Sequence, residues 1–248
     1  HSVVNLVEAG GLITGYAAHP RMVAMAEELI GAEARILEHN SIINRRRKDY
    51  DRSAPVSYGW HRGATPGEAS HEHGSLIHCN FVKTLTNLTE LGPDDGGTVV
   101  IAGSHRMQVS PADLIAMANA DPSLIHQVVA PAGPTLLFGE TLMHATGQIR
   151  SEKERAIITT GYGPTMFPYW DDQAGDLAQD RWELSAEFRA KIPPSYRTLF
   201  LGMRHWNKAP RYRGSLDAEV DANSFEAAGQ LGAWEAALAA HAEPAPKL

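Results

Sequence analysis

Three residues that lie far apart along the chain have the types and spacing needed for metal and carboxylate chemistry. His61 and His144 are separated by 83 positions (144 − 61), and Arg155 follows the second histidine by eleven (155 − 144). Two neutral imidazoles can share one transition metal, and an arginine can pair with a carboxylate through two parallel hydrogen bonds. The chain has 12 histidines, so a histidine counts as a ligand candidate only when its spacing and partners support it. We therefore expect a metal site beside a carboxylate-binding arginine.

Two other histidine groups compete for the metal. The His-x-His pair of His71–His73, together with His78, could enter one coordination sphere from a strand; the alternative is a mobile loop over an active site. The His78–Asn80 segment places an amide where a metal would prefer an anionic ligand. Both groups are weaker candidates than the pair His61 and His144.

Short strand-like runs bounded by Gly and Pro must position these residues. They predict a mainly β core, a sandwich or barrel, with flanking helices. The predicted helices are 20–31, 110–120 and 224–241, and the predicted strands are Ile36–Asn44, Leu76–Leu91, Thr98–Ile101, Val128–Val129, Thr135–Phe138 and Ala156–Thr160. His144 lies in a strand-like run in which residues 140, 142 and 144 would share one face. Arg155 immediately precedes the last predicted strand.

Composition bounds the class of protein. The 248 residues suit a single domain, with a core at about 35–165 and helical additions at 20–31 and 171–241. A net charge of -7 argues against a nucleic-acid polymer or a membrane surface as partner, so we expect a small-molecule substrate. No apolar run is long enough to span a bilayer, and the single cysteine, Cys79, fits a reducing cytoplasmic compartment.

Four segments together resemble the phytanoyl-CoA dioxygenase family, over about residues 5–165. They are Trp60–Gly63, Leu88–His105, Phe138–His144 and Arg155, with Ala102 where the family usually has proline. The resemblance implies a double-stranded β-helix (jelly-roll, cupin-like) core. It also implies an oxidoreductase that uses Fe(II), 2-oxoglutarate and O2.

The resemblance also assigns individual residues. His61 matches the first iron histidine, His144 the second, and Arg155 the arginine that pairs with the far carboxylate of 2-oxoglutarate. The chain departs from the family at Gly63, because the usual His-x-Asp pattern is here His-x-Gly. Gly63 therefore stands where the family's third iron ligand would be expected.

Three interpretations of Gly63 follow, the first of which we favour. In the first interpretation the protein is a halogenase: chloride fills the iron position left by the absent carboxylate, and the enzyme chlorinates an unactivated C–H bond. The second is a hydroxylase with another carboxylate nearby, for which Glu140 is the best candidate. However, four strand residues span ~13 Å, which places Glu140 beyond direct contact with the iron that His144 binds. The third is a non-catalytic binding module in which iron binds weakly. Separately from these, Gly63 could be an ordinary turn glycine that needs a positive φ.

The substrate is less well marked. Glu140, Arg45 and His105 are candidate substrate contacts, and basic residues at Arg45–Arg47 and Arg204–Arg213 could hold a phosphate. Some family members with a His-x-Gly pattern resemble nucleotide halogenases, which suggests a nucleotide or nucleoside substrate.

Overall fold

The computed structural model describes residues 2–51, 53–54, 56–73, 76–167 and 184–202. In these ranges the chain is mainly β with a few helices, as the sequence predicts. The strands are β1 Ser2–Val3, β2 Ala34–Asn44, β3 Ser70–His73, β4 Leu76–Cys79, β5 Val82–Asn87, β6 Val99–Ile101, β7 Ile125–Gln127, β8 Thr135–Gly139, β9 His144–Ala145 and β10 Arg155–Pro164. The α-helices are α1 Gly11–Ala17, α2 Pro20–Ile30, α3 Pro111–Ala120, α4 Ala186–Lys191 and α5 Arg197–Leu201. Single 3-10 turns occur at Leu6–Ala9, Ser104–Arg106, Pro122–Leu124 and Pro194–Tyr196.

The strands form two sheets and a hairpin. The larger sheet has the order β1-β2-β10-β5-β8, the smaller sheet has the order β7-β6-β9, and β3 pairs with β4. Strands that are distant in sequence are therefore neighbours in both sheets. This arrangement can bring together side chains from segments that are far apart along the chain.

The helices predicted at 20–31 and 110–120 are confirmed. α2 begins at Pro20 and is followed by Gly31 at φ 74°, a left-handed conformation that suits glycine at a helix end. α3 begins at Pro111, and its capping Ser110 accepts a hydrogen bond from the Asp113 N–H at 3.1 Å. The start of each helix, and the end of α2, follow from residue type alone. The helix expected at 224–241 lies outside the described residues.

The single strand predicted over Leu76–Leu91 is wrong. The chain forms β4 and β5 there, and these strands lie in different β-structures. β5 is also buried on both faces, because its polar threonines find partners: the Thr84 hydroxyl donates to the Thr160 carbonyl at 3.2 Å, and the Thr86 and Thr135 hydroxyls lie 2.8 Å apart. The alternation of polar and apolar residues in this segment therefore does not indicate a strand with one exposed face. The strand predicted at Val128–Val129 is also displaced, since β7 ends at Gln127.

The described chain packs into two compact units. One comprises residues 2–4, 29–31 and 40–161, and the other comprises residues 5–28, 32–39 and the described residues from 162 onward. In the first unit, two hydrophobic clusters centre on Leu85 with Phe138 and on Ile101 with Met143. In the second unit, the Tyr162 hydroxyl donates to the Ala17 carbonyl at 2.7 Å. The prediction of a single domain stays a prediction. In the described part of the chain, no helix is long and apolar enough to cross a membrane.

Candidate metal centre

His61 and His144 lie side by side in the first unit. An isolated antiparallel bridge joins them, and each backbone N–H donates to the other's carbonyl at 2.9 Å. Their ring centroids are 4.3 Å apart, with 56° between the ring planes. The structure thus brings together the two histidines that the sequence singled out.

Hydrogen bonds to backbone carbonyls fix the orientation of both rings. The Nδ1 atom of His61 lies 3.0 Å from the Gly59 carbonyl, and that of His144 lies 2.9 Å from the Leu142 carbonyl. Because a carbonyl only accepts, each Nδ1 must carry the proton, which leaves the Nε2 lone pair of the neutral ring for a metal. Burial lowers the pKa of His144, which also favours the neutral, metal-binding form.

Arg155 is the first residue of β10, which begins one position earlier than the predicted strand, and its side chain is buried. One guanidinium nitrogen donates to Asn44 Oδ1 at 3.0 Å and another donates to Thr98 Oγ1 at 3.1 Å. The Nε atom makes no hydrogen bond with any described residue. Burial lowers the pKa of Arg155 to about 10, so the side chain remains cationic at neutral pH. A buried cation with an unused donor is suited to binding a carboxylate.

β6 relates this arginine to the histidine pair. Val100 in β6 is paired with His144 in β9, so their side chains leave the same face of the sheet. Thr98 stands two residues earlier, about 7 Å along an extended chain. Since Arg155 binds Thr98, its guanidinium contacts the segment that leads into the strand paired with His144.

Glu140 is much closer to His144 than predicted. β8 ends at Gly139, and the chain then turns, with the Leu142 N–H donating to the Gly139 carbonyl at 2.9 Å. Residues 140–143 are therefore not strand, and the expected separation of ~13 Å, which assumes an extended chain, is wrong. Glu140 Oε1 lies 4.0 Å from the Nε2 atom of His144.

The carboxylate of Glu140 also fills the space beside Gly63. The Gly63 N–H donates to Glu140 Oε2 at 2.9 Å. A Cβ atom added at Gly63 would lie 2.5 Å from that oxygen and 3.1 Å from Glu140 Cδ. Gly63 is not among the positive-φ glycines, so a turn requirement does not explain it. Its lack of a side chain leaves room for another residue's carboxylate.

Lys83 is a further member of this site, and the sequence did not indicate it. Its Nζ atom lies 3.2 Å from Glu140 Oε1, and the side chains are 19% and 2% exposed. The pairing is by charge, since Oε1 makes no hydrogen bond with any residue that the structure describes. Nothing in the sequence connects Lys83 to Glu140.

The remaining candidates lie elsewhere or stay untested. Arg45 is exposed and forms an ion pair with Glu154, and His105 lies partly buried in the 3-10 turn Ser104–Arg106. His71 lies in the hairpin strand β3 instead of a loop, and its ring stacks on His78 with centroids 5.1 Å apart. Within the described ranges, no group of three or more His, Cys, Asp and Glu is placed to hold a metal ion. His61 and His144 thus form a pair without a third ligand in bonding position.

Solved structures of other proteins share this fold. HygX from Streptomyces hygroscopicus with nickel and 2-oxoglutarate bound matches with a TM-score of 0.59 and 23% identity, covering 73% of this chain and 80% of that one. HygX with nickel, 2-oxoglutarate and hygromycin B bound matches with a TM-score of 0.53 and 23% identity, covering 67% and 70%. EctD from S. alaskensis with bound Fe matches with a TM-score of 0.52 and 19% identity, covering 68% and 58%. No curated protein sequence matches significantly.

A family model described as Phytanoyl-CoA dioxygenase matches residues 12–157, more than half of the chain. The protein is an oxygenase of the Fe(II)/2-oxoglutarate-dependent class. Within that class, the chain belongs to the phytanoyl-CoA dioxygenase family. The site fits the family's cofactors: two Nε2 lone pairs for iron and a buried guanidinium with an unused Nε for a dicarboxylate.

Proposed function

We propose that this oxygenase hydroxylates a small molecule. O2 supplies one oxygen atom to a substrate C–H bond, which becomes an alcohol. The other oxygen enters 2-oxoglutarate, which leaves as succinate and CO2, so that atoms and electrons balance. Iron, when bound, supplies the activation of O2 and the cleavage of the C–H bond.

The chain's own residues bind and orient these reactants. His61 and His144 present their Nε2 atoms to the metal, because the Nδ1 protons are held by backbone carbonyls. Arg155 binds the far carboxylate of 2-oxoglutarate and is itself aligned by Asn44 and Thr98. Phe138 packs its ring edge-on against His144 at 4.8 Å and keeps water from that side of the imidazole.

One observation carries the choice of hydroxylation over chlorination. A halide would need the space that Gly63 leaves beside the metal, but Glu140 Oε2 already lies 2.5 Å from the position of a Cβ at residue 63. The carboxylate also repels an anion, because like charges in a buried site interact unfavourably. The space is therefore filled, and it is filled with negative charge.

Chlorination is the second candidate, favoured by the absence of any side chain at Gly63. Lys83 supports it as well, because its ammonium lies 3.2 Å from Glu140 Oε1 and offsets that carboxylate's charge. If Glu140 moved towards Lys83, chloride could enter beside the metal. The two candidates thus differ in what occupies one small volume.

A polar small molecule is the substrate class that we propose. HygX has been solved with hygromycin B bound, and its fold is shared with this chain. The expected nucleotide remains a prediction, since Arg45, Arg46 and Arg47 each already pair with an acidic side chain at the surface. We also assign the two sheets to the double-stranded β-helix core of the family, supported by their strand order and by the matched structures.

Reaction products test this proposal directly. The full chain is loaded anaerobically with Fe(II), 2-oxoglutarate and chloride, mixed with O2 and a panel of polar metabolites, and examined by mass spectrometry. We expect products that gain one oxygen atom from isotopically labelled O2, with succinate formed in proportion. His144→Ala serves as the control and should form no succinate. A product with a chlorine isotope pattern would overturn hydroxylation.

A further inference from the structure

We infer that Glu140 supplies the third protein ligand of the metal. The carboxylate comes from the turn before the second histidine, instead of from the position two residues after the first. This inference rests on the iron site of the proposed function, but it concerns metal binding and not the product formed. It assigns the side chain that replaces the family's missing aspartate.

The distances support a shared ion. Metal–nitrogen and metal–oxygen bonds are about 2.1 Å long, so two ligand atoms can contact one ion when they lie within about 4.2 Å of each other. Glu140 Oε1 and His144 Nε2 are 4.0 Å apart. Full octahedral geometry would bring them to about 3 Å, a movement of about 1 Å. The described side chains therefore stop short of full coordination, and a shift of about 1 Å on metal binding is part of the inference.

The same volume cannot hold two carboxylates. A side chain at residue 63 would begin 2.5 Å from Glu140 Oε2 and 3.4 Å from Glu140 Cβ. An aspartate at 63 would therefore displace Glu140, and the observed Glu140 requires a residue without a side chain at 63. The Gly63 N–H then holds Oε2 at 2.9 Å and leaves Oε1 on the side of His144. One carboxylate is present in either case, but it comes from a different segment.

The burial of Glu140 and its oxygen without a hydrogen bond from a described residue point to a bound cation. Its side chain is 1% exposed, and Oε1 makes no hydrogen bond with the described residues. A buried ionised carboxylate is costly unless it is paired or coordinates a metal. Lys83 provides one positive charge at 3.2 Å and keeps the carboxylate directed into the site. A divalent ion between Oε1 and the two imidazoles would use the Oε1 lone pairs that no hydrogen bond from a described residue occupies, with Lys83 as a positioning residue.

Cobalt(II) binding to the full chain, measured anaerobically without O2 or substrate, tests the inference. Calorimetry gives the affinity, and the visible absorption of cobalt reports the ligand set. We expect Glu140→Ala and Glu140→Gln each to weaken binding by at least about tenfold and to change the spectrum. The double variant Gly63→Asp with Glu140→Ala should recover most of the lost affinity, because it returns a carboxylate to the vacated space. Gly63→Asp alone should not bind cobalt more tightly than the wild type.

A matched control is available in the same unit. Asp95 is a buried carboxylate that faces Lys153, with 3.4 Å between Oδ2 and Nζ, and Asp95→Asn should leave cobalt binding unchanged. Thermal melts establish folding, and the isosteric Glu140→Gln decides the result if Glu140→Ala does not fold. Wild-type affinity with an unchanged spectrum in Glu140→Gln would overturn the inference. So would a double variant that folds but recovers no affinity.

The two proposals can fail independently. If the Glu140 variants bind cobalt normally while the wild type forms hydroxylated product, the ligand assignment is wrong and the proposed function stands. If the wild type chlorinates its substrate while Glu140→Gln loses cobalt, the function is wrong and the ligand assignment stands.

Discussion

Substituting Gly63 by alanine tests the packing on which both proposals depend. The new Cβ would lie 2.5 Å from Glu140 Oε2, 3.1 Å from Cδ and 3.4 Å from Cβ, so moving the carboxylate tip alone does not relieve the contact. Glu140 is 1% exposed and must shift within a packed site, losing the hydrogen bond from the Gly63 N–H. Overpacking of this kind costs about 1–3 kcal/mol. For a protein of this size, that corresponds to a melting temperature lower by roughly 2–12 °C.

Thermal unfolding of the metal-free protein measures this cost. Gly59→Ala is the matched control, since a Cβ at Gly59 has nothing within 4 Å and Gly59 has an ordinary φ; its melting temperature should stay close to that of the wild type. In Glu140→Ala, the additional Gly63→Ala change should cost little, because the clashing carboxylate is gone. Equal melting temperatures for wild type and Gly63→Ala would refute the reasoning, because Glu140 would then not be confined beside residue 63.

Two further predictions concern Arg155 and Asp95. Arg155→Lys should weaken 2-oxoglutarate binding by about tenfold or more, because lysine cannot keep the contacts to Asn44 and Thr98 and also bind a carboxylate bidentately. The rate of succinate formation, measured as a function of 2-oxoglutarate concentration, tests this. The exposed Arg150 provides the control variant, Arg150→Lys. Hydrogen bonds from Ser151 and from the Gly92 N–H lower the pKa of Asp95. The ionised Asp95 therefore stabilises the folded protein above about pH 4, and this stabilisation is lost as the pH falls through the lowered pKa. Asp95→Asn should make the urea midpoint depend less on pH in the acid range. An unchanged pH dependence would contradict this.

The parts of the site that lie on regular elements could be predicted from sequence. His144 and Arg155 begin β9 and β10, and His61 forms a backbone bridge to His144, so the strand pattern and the family pattern lead to the same residues. α3 was equally accessible, because Ser110 and Pro111 are local signals that need no distant partner.

Glu140 could not be placed in this way, because its position depends on a turn that carries no strong turn signal. Residues 140–143 contain neither glycine nor proline, and two polar residues are followed there by two apolar ones, a pattern that marks neither a turn nor a strand. The turn is closed by one backbone hydrogen bond between Leu142 and Gly139. Whether such a tetrapeptide turns or extends is decided by tertiary packing, which the sequence pattern does not report.

Gly63 shows why an absent side chain is weak evidence by itself. A missing aspartate implies an open metal position only if nothing else enters the volume that the aspartate would have filled. Here Glu140 enters that volume. The distance of 2.5 Å between its Oε2 atom and a Cβ added at residue 63 means that the observed Glu140 and a side chain at residue 63 exclude each other. Glycine at 63 and glutamate at 140 are therefore one structural choice, and neither residue defines the chemistry without the other.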